Sequence, residues 1–227
     1  MGIAFDPADP FPLLPPALRV YALEQAHSAQ VDAWLGLEVE RIERELVEAG
    51  RATDGREEQN WVGLPSHSLL TPYTEIRELL SRLAPRPGSM LVDLGAAYGR
   101  MAFVAAGHFP ELRFTGYELV PERIREGLRC LRLRGAKGVE LLEQDLMDPR
   151  FHPIEADYYF LYDFGSRAAI AKTLEDLRSI ARRRPITVVG RGRASRDEIE
   201  RKHPWLSEVV EPEHLPRYSV YRTERPV

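Results

Sequence analysis

Several things are scarce in this sequence, and each scarcity excludes a class of protein. There is one cysteine, Cys130, so no disulfide can close within the chain and a small disulfide-held secreted scaffold is ruled out. The histidines, His27, His67, His108, His152, His203 and His214, fall at no metal-ligand spacing, which disfavours metal-dependent chemistry. No apolar run approaches the ~20 residues of a membrane span. The start, MGIAFDPADPFPLLPP, lacks the basic region and small-residue cleavage site of a signal peptide. The expectation is a cytoplasmic protein with no membrane partner. Cations are not in excess either: 31 Lys and Arg stand against 35 Asp and Glu, a net charge of -4, so no broad electrostatic grip on nucleic acid is advertised. Internal repeats and low-complexity tracts are absent.

What is present is a change of period along the chain. The proline-rich first sixteen residues read as an irregular arm. From 17 to 49 one helix is expected, because Val31, Leu35, Val39, Ile42 and Leu46 recur at steps of four and three. The polar RATDGREEQN ends it and WVGLPSHSLL reads as a loop. A second helix follows in TPYTEIRELLSRL, with Thr71 placed to cap it and Pro72 at its first position. After Pro87-Gly88 short apolar runs alternate with helical patterns: strands at 89–95, 112–118, 138–145, 156–163 and 185–192, with helices between them. That alternation argues for βαβ units and a parallel sheet covered on both faces. The end breaks the rule. WLSEVVEP and RYSVYRT read as two strands joined only by EHLP, a linker too short for a parallel crossover, so an antiparallel terminal hairpin is expected.

The first strand runs into LVDLGAAYGR. In an open parallel sheet, ligands sit off the carboxyl ends of the strands, and a glycine turn lets backbone approach them closely. A phosphate loop needs Gly-Lys-Ser/Thr, but Gly99 is followed by Arg100-Met101. A dinucleotide fingerprint needs two further glycines that G-A-A-Y-G-R lacks, which leaves an NAD-dependent oxidoreductase with the poorest support. The third reading, D-x-G-x-x-x-G as a turn for the nucleoside of S-adenosylmethionine, fits Asp93, Gly95 and Gly99 as written.

These residues resemble the first motif of class I (seven-stranded, Rossmann-like) S-adenosylmethionine-dependent methyltransferases, with Ala97 in place of the family's middle glycine. The resemblance runs from about 71 to 223. It implies a doubly wound, mostly parallel seven-stranded α/β sheet with the antiparallel hairpin, residues 71–227 as the methyltransferase domain, and 1–70 as an arm and helical extension. It implies S-adenosyl-L-methionine as cofactor, held by the turn Asp93, Gly95, Ala97, Tyr98 and Gly99. Glu118, ending GYE, would accept from the ribose hydroxyls, a task a carboxylate's two oxygens suit. Asp145 would lie near the adenine amine, with Leu146 an apolar neighbour of the ring.

The resemblance implies a methyl acceptor, expected to be a protein or a small molecule. LYDFGSR has no Asn/Asp-Pro-Pro-Tyr, which argues against nucleobase and glutamine acceptors. TPYTEIRELL with GYELVPERIREG is similar to seven-stranded protein lysine methyltransferases, in which a tyrosine before the first motif lines the site; Tyr73 matches it in place. Asp163 reads as the residue that orients or deprotonates the nucleophile, or as a loop cap. Tyr73, Tyr98, Phe164 and Trp61 are the aromatic candidates for an acceptor channel, the alternative for Trp61 and Tyr98 being core packing. A module that binds the cofactor without transferring methyl is the competing class. RRR at 182–184 reads as a helix end, and RGRASR as a basic segment on the active edge of the sheet. Whether the N-terminal helix is a substrate cap or a dimer surface is not written in the sequence.

Overall fold

Alternating side chains of one strand must go to opposite faces, so a run such as Leu91-Val92-Asp93-Leu94 needs cover on both. The computed structural model describes residues 2–51 and 61–224. It supplies that cover with helices on each side of a seven-stranded sheet of order β3-β2-β1-β4-β5-β7-β6. The strands are β1 (Met90–Leu94), β2 (Arg113–Glu118), β3 (Val139–Glu143), β4 (Tyr158–Tyr162), β5 (Thr187–Arg191), β6 (Glu213–His214) and β7 (Tyr218–Arg222). The first five pair in parallel, and β7 lies antiparallel between β5 and β6. The helices are α1 (Tyr21–Leu35), α2 (Val39–Glu48), α3 (Ser66–Leu69), α4 (Tyr73–Leu83), α5 (Arg100–His108), α6 (Pro121–Leu133), α7 (Arg167–Ala181) and α8 (Arg193–Lys202). The Rossmann-like, doubly wound fold expected from the sequence is the one observed. Leu91, Phe114, Phe160 and Val189 face α4, α5 and α6, while Val92, Leu94, Tyr159 and Val188 face α7.

Four local expectations are corrected. The helix expected from 17 to 49 is two helices, because Gly36 takes a left-handed φ of 75°. The amides of Gly36 and Leu37 close the end of α1 on the carbonyls of Ala33 and Asp32 at 3.2 and 2.9 Å, the paired bonds of a glycine-terminated helix. The stripe survives the break, and all five of its residues are buried. Thr71 does not cap α4. Pro72 is extended before the helix and provides no side-chain bond; the hydroxyl of Ser28, from α1, accepts the Tyr73 amide at 3.2 Å instead. The segment read as a loop at 61–70 carries the single turn α3. Residues 205–212 are not a strand: Trp205 and Leu206 sit in a 3-10 turn and bury themselves beside α7 and α8. The hairpin therefore begins within EHLP, with only Glu213–His214 as its first strand. The polar stretch expected to end the first helix lies, after Arg51, outside the described residues.

Helices α1 and α2 meet the rest of the chain through buried ion pairs. Arg100 is bound to Asp32 of α1, and Arg123 to Glu43 of α2 at 2.8 and 3.0 Å. Glu75 of α4 takes Arg191 at 2.7 Å and Arg217 at 3.1 Å, while Arg217 also binds Glu24 of α1.

Candidate active site

Strand order runs 3-2-1 on one side and 4-5 on the other, so the connections diverge between β1 and β4. A crevice opens there at the carboxyl ends of the strands. The turn after β1 shapes its floor. Gly95, Ala97 and Gly99 all have positive φ, 96°, 47° and 75°. Gly95 is also forced by contact, since a Cβ there would come within 2.4 Å of the Phe164 Cβ. Alanine at 97 carries the same left-handed twist at a cost of about 1–2 kcal/mol. The amides of Gly95 and Ala96 both donate to the Tyr117 carbonyl, at 3.0 and 2.8 Å, which straps the turn onto β2.

Glu118 ends β2 and is held from three sides. Its Oε2 accepts the Ala97 amide at 2.8 Å, its Oε1 the Val120 amide at 2.9 Å, and Arg123 stands 3.5 Å away. The crevice, of about 240 Å³, is lined by Gly95, Ala97, Glu118, Asp145, Leu146 and Asp163, with Phe164 and Trp61 among the aromatics on its wall. Asp145 is exposed and its Oδ1 accepts the Met147 amide at 2.8 Å; Leu146 is buried behind it. Asp93 is buried beneath the turn and borders a smaller cavity beside Gly95 and Ala97. Burial, and then the charge of Glu118, pushes its carboxyl up to about 8.

Eight of the expected residues, Trp61 and Phe164 included, thus share one crevice, and Asp93 lies next to it. The others are elsewhere. Gly99 ends the turn with Leu141 against it. Tyr98 is fully buried and donates to Glu43 at 2.7 Å. Tyr73 is fully buried, stacked on Phe11, and donates to Asp32 at 2.7 Å; it does not reach the crevice. Asp163 reaches the wall but turns its carboxylate away. With φ at 33°, its two oxygens accept the Ala194 and Ser195 amides at 3.2 and 2.7 Å, capping α8. Its carbonyl accepts the Trp61 indole N–H at 2.9 Å.

Sequence reading missed Arg123, Arg100 and Tyr162. Arg123 stands five residues after Glu118, a spacing that places a helical cation over the tip of β2. Tyr162 ends β4, its ring under the Arg191 guanidinium at 4.0 Å and its hydroxyl donating to the Ser68 carbonyl at 2.8 Å. RGRASR divides: Arg191 is buried against Glu75, and Arg193 is exposed. Among the described residues there is no metal-ligand cluster, and no helix is long and apolar enough to cross a membrane.

No family model matches this sequence, and no curated protein matches it. Solved structures do match in fold. The proposed methyltransferase yhhF of Escherichia coli superimposes with a TM-score of 0.52 at 15% identity, over 75% of this chain and 97% of that one. Precorrin-6y C5,15-methyltransferase of Geobacter metallireducens GS-15 gives 0.50 at 19% identity, over 69% and 90%. TrmN of Thermus thermophilus gives 0.50 at 20% identity over 68% of this chain, which spans about half of TrmN's length (48%). At these identities the likeness is one of fold: this chain has the Rossmann-like fold found in those methyltransferases.

Proposed function

We propose that this chain is an S-adenosylmethionine-dependent methyltransferase. The observation that carries the reading is Glu118, presented at the tip of β2 by two backbone amides, in one crevice with Gly95, Asp145 and Leu146. The donor set suits a nucleoside: acceptor oxygens for a ribose diol, an acidic residue on the next strand end for an exocyclic amine, and an apolar slot for a ring. S-adenosylmethionine, when bound, supplies a sulfonium-activated methyl group. The work of this chain is then to hold the nucleoside on Glu118, Asp145 and Leu146, to let the Gly95 backbone approach it, and to keep water out with Phe164, Trp61 and Tyr162. That several fold neighbours are named methyltransferases supports the same reading.

For the acceptor we propose a protein lysine amine, with a small molecule second. The aromatic wall supports it, because a lysine must shed its proton and desolvation favours the neutral amine. Tyr73, sealed against Asp32, has no part in this reading, and Asp163 serves by bracing the wall through α8 and Trp61. Residues 61–70 contribute Trp61, Leu64 and Ser68 to the crevice, which supports this segment, rather than the helices at 17–49, as its cover. The engaged carboxylate of Asp163 favours one second reading, a module that binds the nucleoside without transferring methyl.

Titration calorimetry with S-adenosylhomocysteine tests the proposal. Binding is expected, weakened about 10-fold or more in Glu118→Gln through loss of a charged hydrogen bond, and less in Asp145→Ala. No heat with the intact chain overturns it. Transfer of a tritiated methyl group to lysate proteins separates the enzyme from the silent module, which labels nothing.

A further inference from the structure

Arg123 differs from Arg100, Arg191 and Arg217, the other arginines that pair with the buried acids, in one respect: it also lines the main crevice. It sits in the first turn of α6 and is 2% exposed. Its Nε and Nη2 donate to the two oxygens of Glu43, on α2, at 2.8 and 3.0 Å. Such two-pronged pairing fixes the plane of a guanidinium. Nη1 then stands 3.5 Å from Oε1 of Glu118. A charged hydrogen bond would close to about 2.8 Å, so Arg123 faces Glu118 with its charge without capturing the oxygen. Each Glu118 oxygen accepts one backbone amide, and a carboxylate oxygen has room for a second donor.

Glu43 also holds the glycine turn. Its Oε1 accepts the Tyr98 hydroxyl at 2.7 Å. One buried carboxylate from α2 therefore ties the turn after β1 to the helix after β2. The two segments meet closely, since a Cβ on Gly127 of α6 would come within 2.5 Å of the Tyr98 carbonyl. Glu118 lies where they meet, bonded to the Ala97 amide of the same turn. Were Glu43 to lose its charge, the buried guanidinium would turn toward the carboxylate that remains beside it, because an uncompensated buried charge is costly. That carboxylate is Glu118.

We propose that Glu43 is a positioning residue for the nucleoside: it holds Arg123 back from Glu118 and so leaves the Glu118 oxygens to the ribose hydroxyls. The proposal rests on the reading of Glu118 as the ribose acceptor. It gives α2, which does not itself line the crevice, a part in recognising the sugar.

Calorimetric titration of the full chain with S-adenosylhomocysteine and with its 2′-deoxy analogue tests it. The intact chain should prefer the ribose form about 10-fold or more, the worth of a charged hydrogen bond in a buried site. Glu43→Gln should bring S-adenosylhomocysteine down to near the level of the analogue. Binding of the analogue should stay as it was, which also shows that the variant is folded. Adding Arg123→Met to Glu43→Gln takes away the competing guanidinium and should restore most of the preference, whereas a merely structural role predicts a deeper loss. Should Glu43→Gln not fold, Glu43→Asp draws the carboxylate back by one methylene and should lose part of the preference in the same direction. A variant that weakens both ligands in proportion, leaving the preference intact, overturns the proposal and leaves the nucleoside reading standing. Equal affinity of the intact chain for the two ligands overturns Glu118 as the ribose acceptor, and the role of Glu43 with it. Binding of neither overturns the crevice reading itself.

Discussion

Along the seam where α1, α2 and α4 meet the rest of the fold, Asp32 faces Arg100 of α5, Glu43 faces Arg123 of α6, and Glu75 faces both Arg191 and Arg217. At the tip of β1, Asp93 is buried as deeply as these acids, yet no cation stands against it among the described residues. The difference separates acids whose charge the chain itself neutralises from one that it leaves unpaired. A carboxylate buried for packing must be neutralised within the chain, since an unpaired buried charge costs several kcal/mol. An acid left unpaired at a strand end, in a cavity beside a nucleoside-sized crevice, raises its pKa instead.

Removing one partner along the seam should cause the largest loss of stability. Glu75→Ala leaves the buried Arg191 without its carboxylate and takes one of two from the half-buried Arg217, which keeps Glu24; it should cost about 3–5 kcal/mol, read as a drop in the urea midpoint. A loss under about 1 kcal/mol would erase the distinction between the two regions.

Asp93→Asn should act in the opposite direction. The folded carboxyl, pushed up to about 8, holds its proton more tightly than the unfolded one at about 4. The folded state is therefore uncompromised below pH 4 and loses stability as pH rises from 4 to 8, with no further loss above. The amide has no such dependence. Wild type and Asp93→Asn should match near pH 4, and the variant should be more stable by about 5 kcal/mol at pH 8, measured by denaturant unfolding at both. Parallel pH profiles would mean that Asp93 is paired or solvated after all.

The smallest effect belongs to the exposed face of α2, where Arg41 bridges Glu38 and Glu45. Both carboxylates and the guanidinium lie in water, so Arg41→Ala should leave the urea midpoint where it was. A measurable shift there would show that ion pairs stabilise this protein wherever they fall, and that burial is not what sets the seam apart.

Much of the fold was legible because it rests on period. The strand–helix alternation after 88 predicted the parallel sheet, and the stripe from Val31 to Leu46 marked a buried face even though Gly36 breaks the helix carrying it. The stripe survived because a break of this kind redirects the axis and still leaves both apolar faces turned inward. The segment at 205–212 misled for the converse reason: Trp205 and Leu206 are apolar in order to plug a gap near α7, and apolarity without alternation does not make a strand. Glu118, Asp145 and Leu146, singled out by the family resemblance, line one crevice because they stand at the ends of neighbouring strands. Tyr73 and Asp163 were singled out in the same way, but where their polar atoms point depends on Asp32 and on the amides of α8, which come from distant sequence.

By itself the sequence determined the layered α/β architecture, the glycine turn at the end of β1 and the row of acids at the strand tips, because periodicity and spacing are local. Which of those acids are neutralised was decided only by the tertiary structure. The arginines that pair with Asp32, Glu43 and Glu75 lie 68, 80 and 116 residues away, and nothing short of the folded chain brings them together. Folding also left the Nε of Arg100 and the carboxylate of Asp93 beside one cavity with no partner of their own.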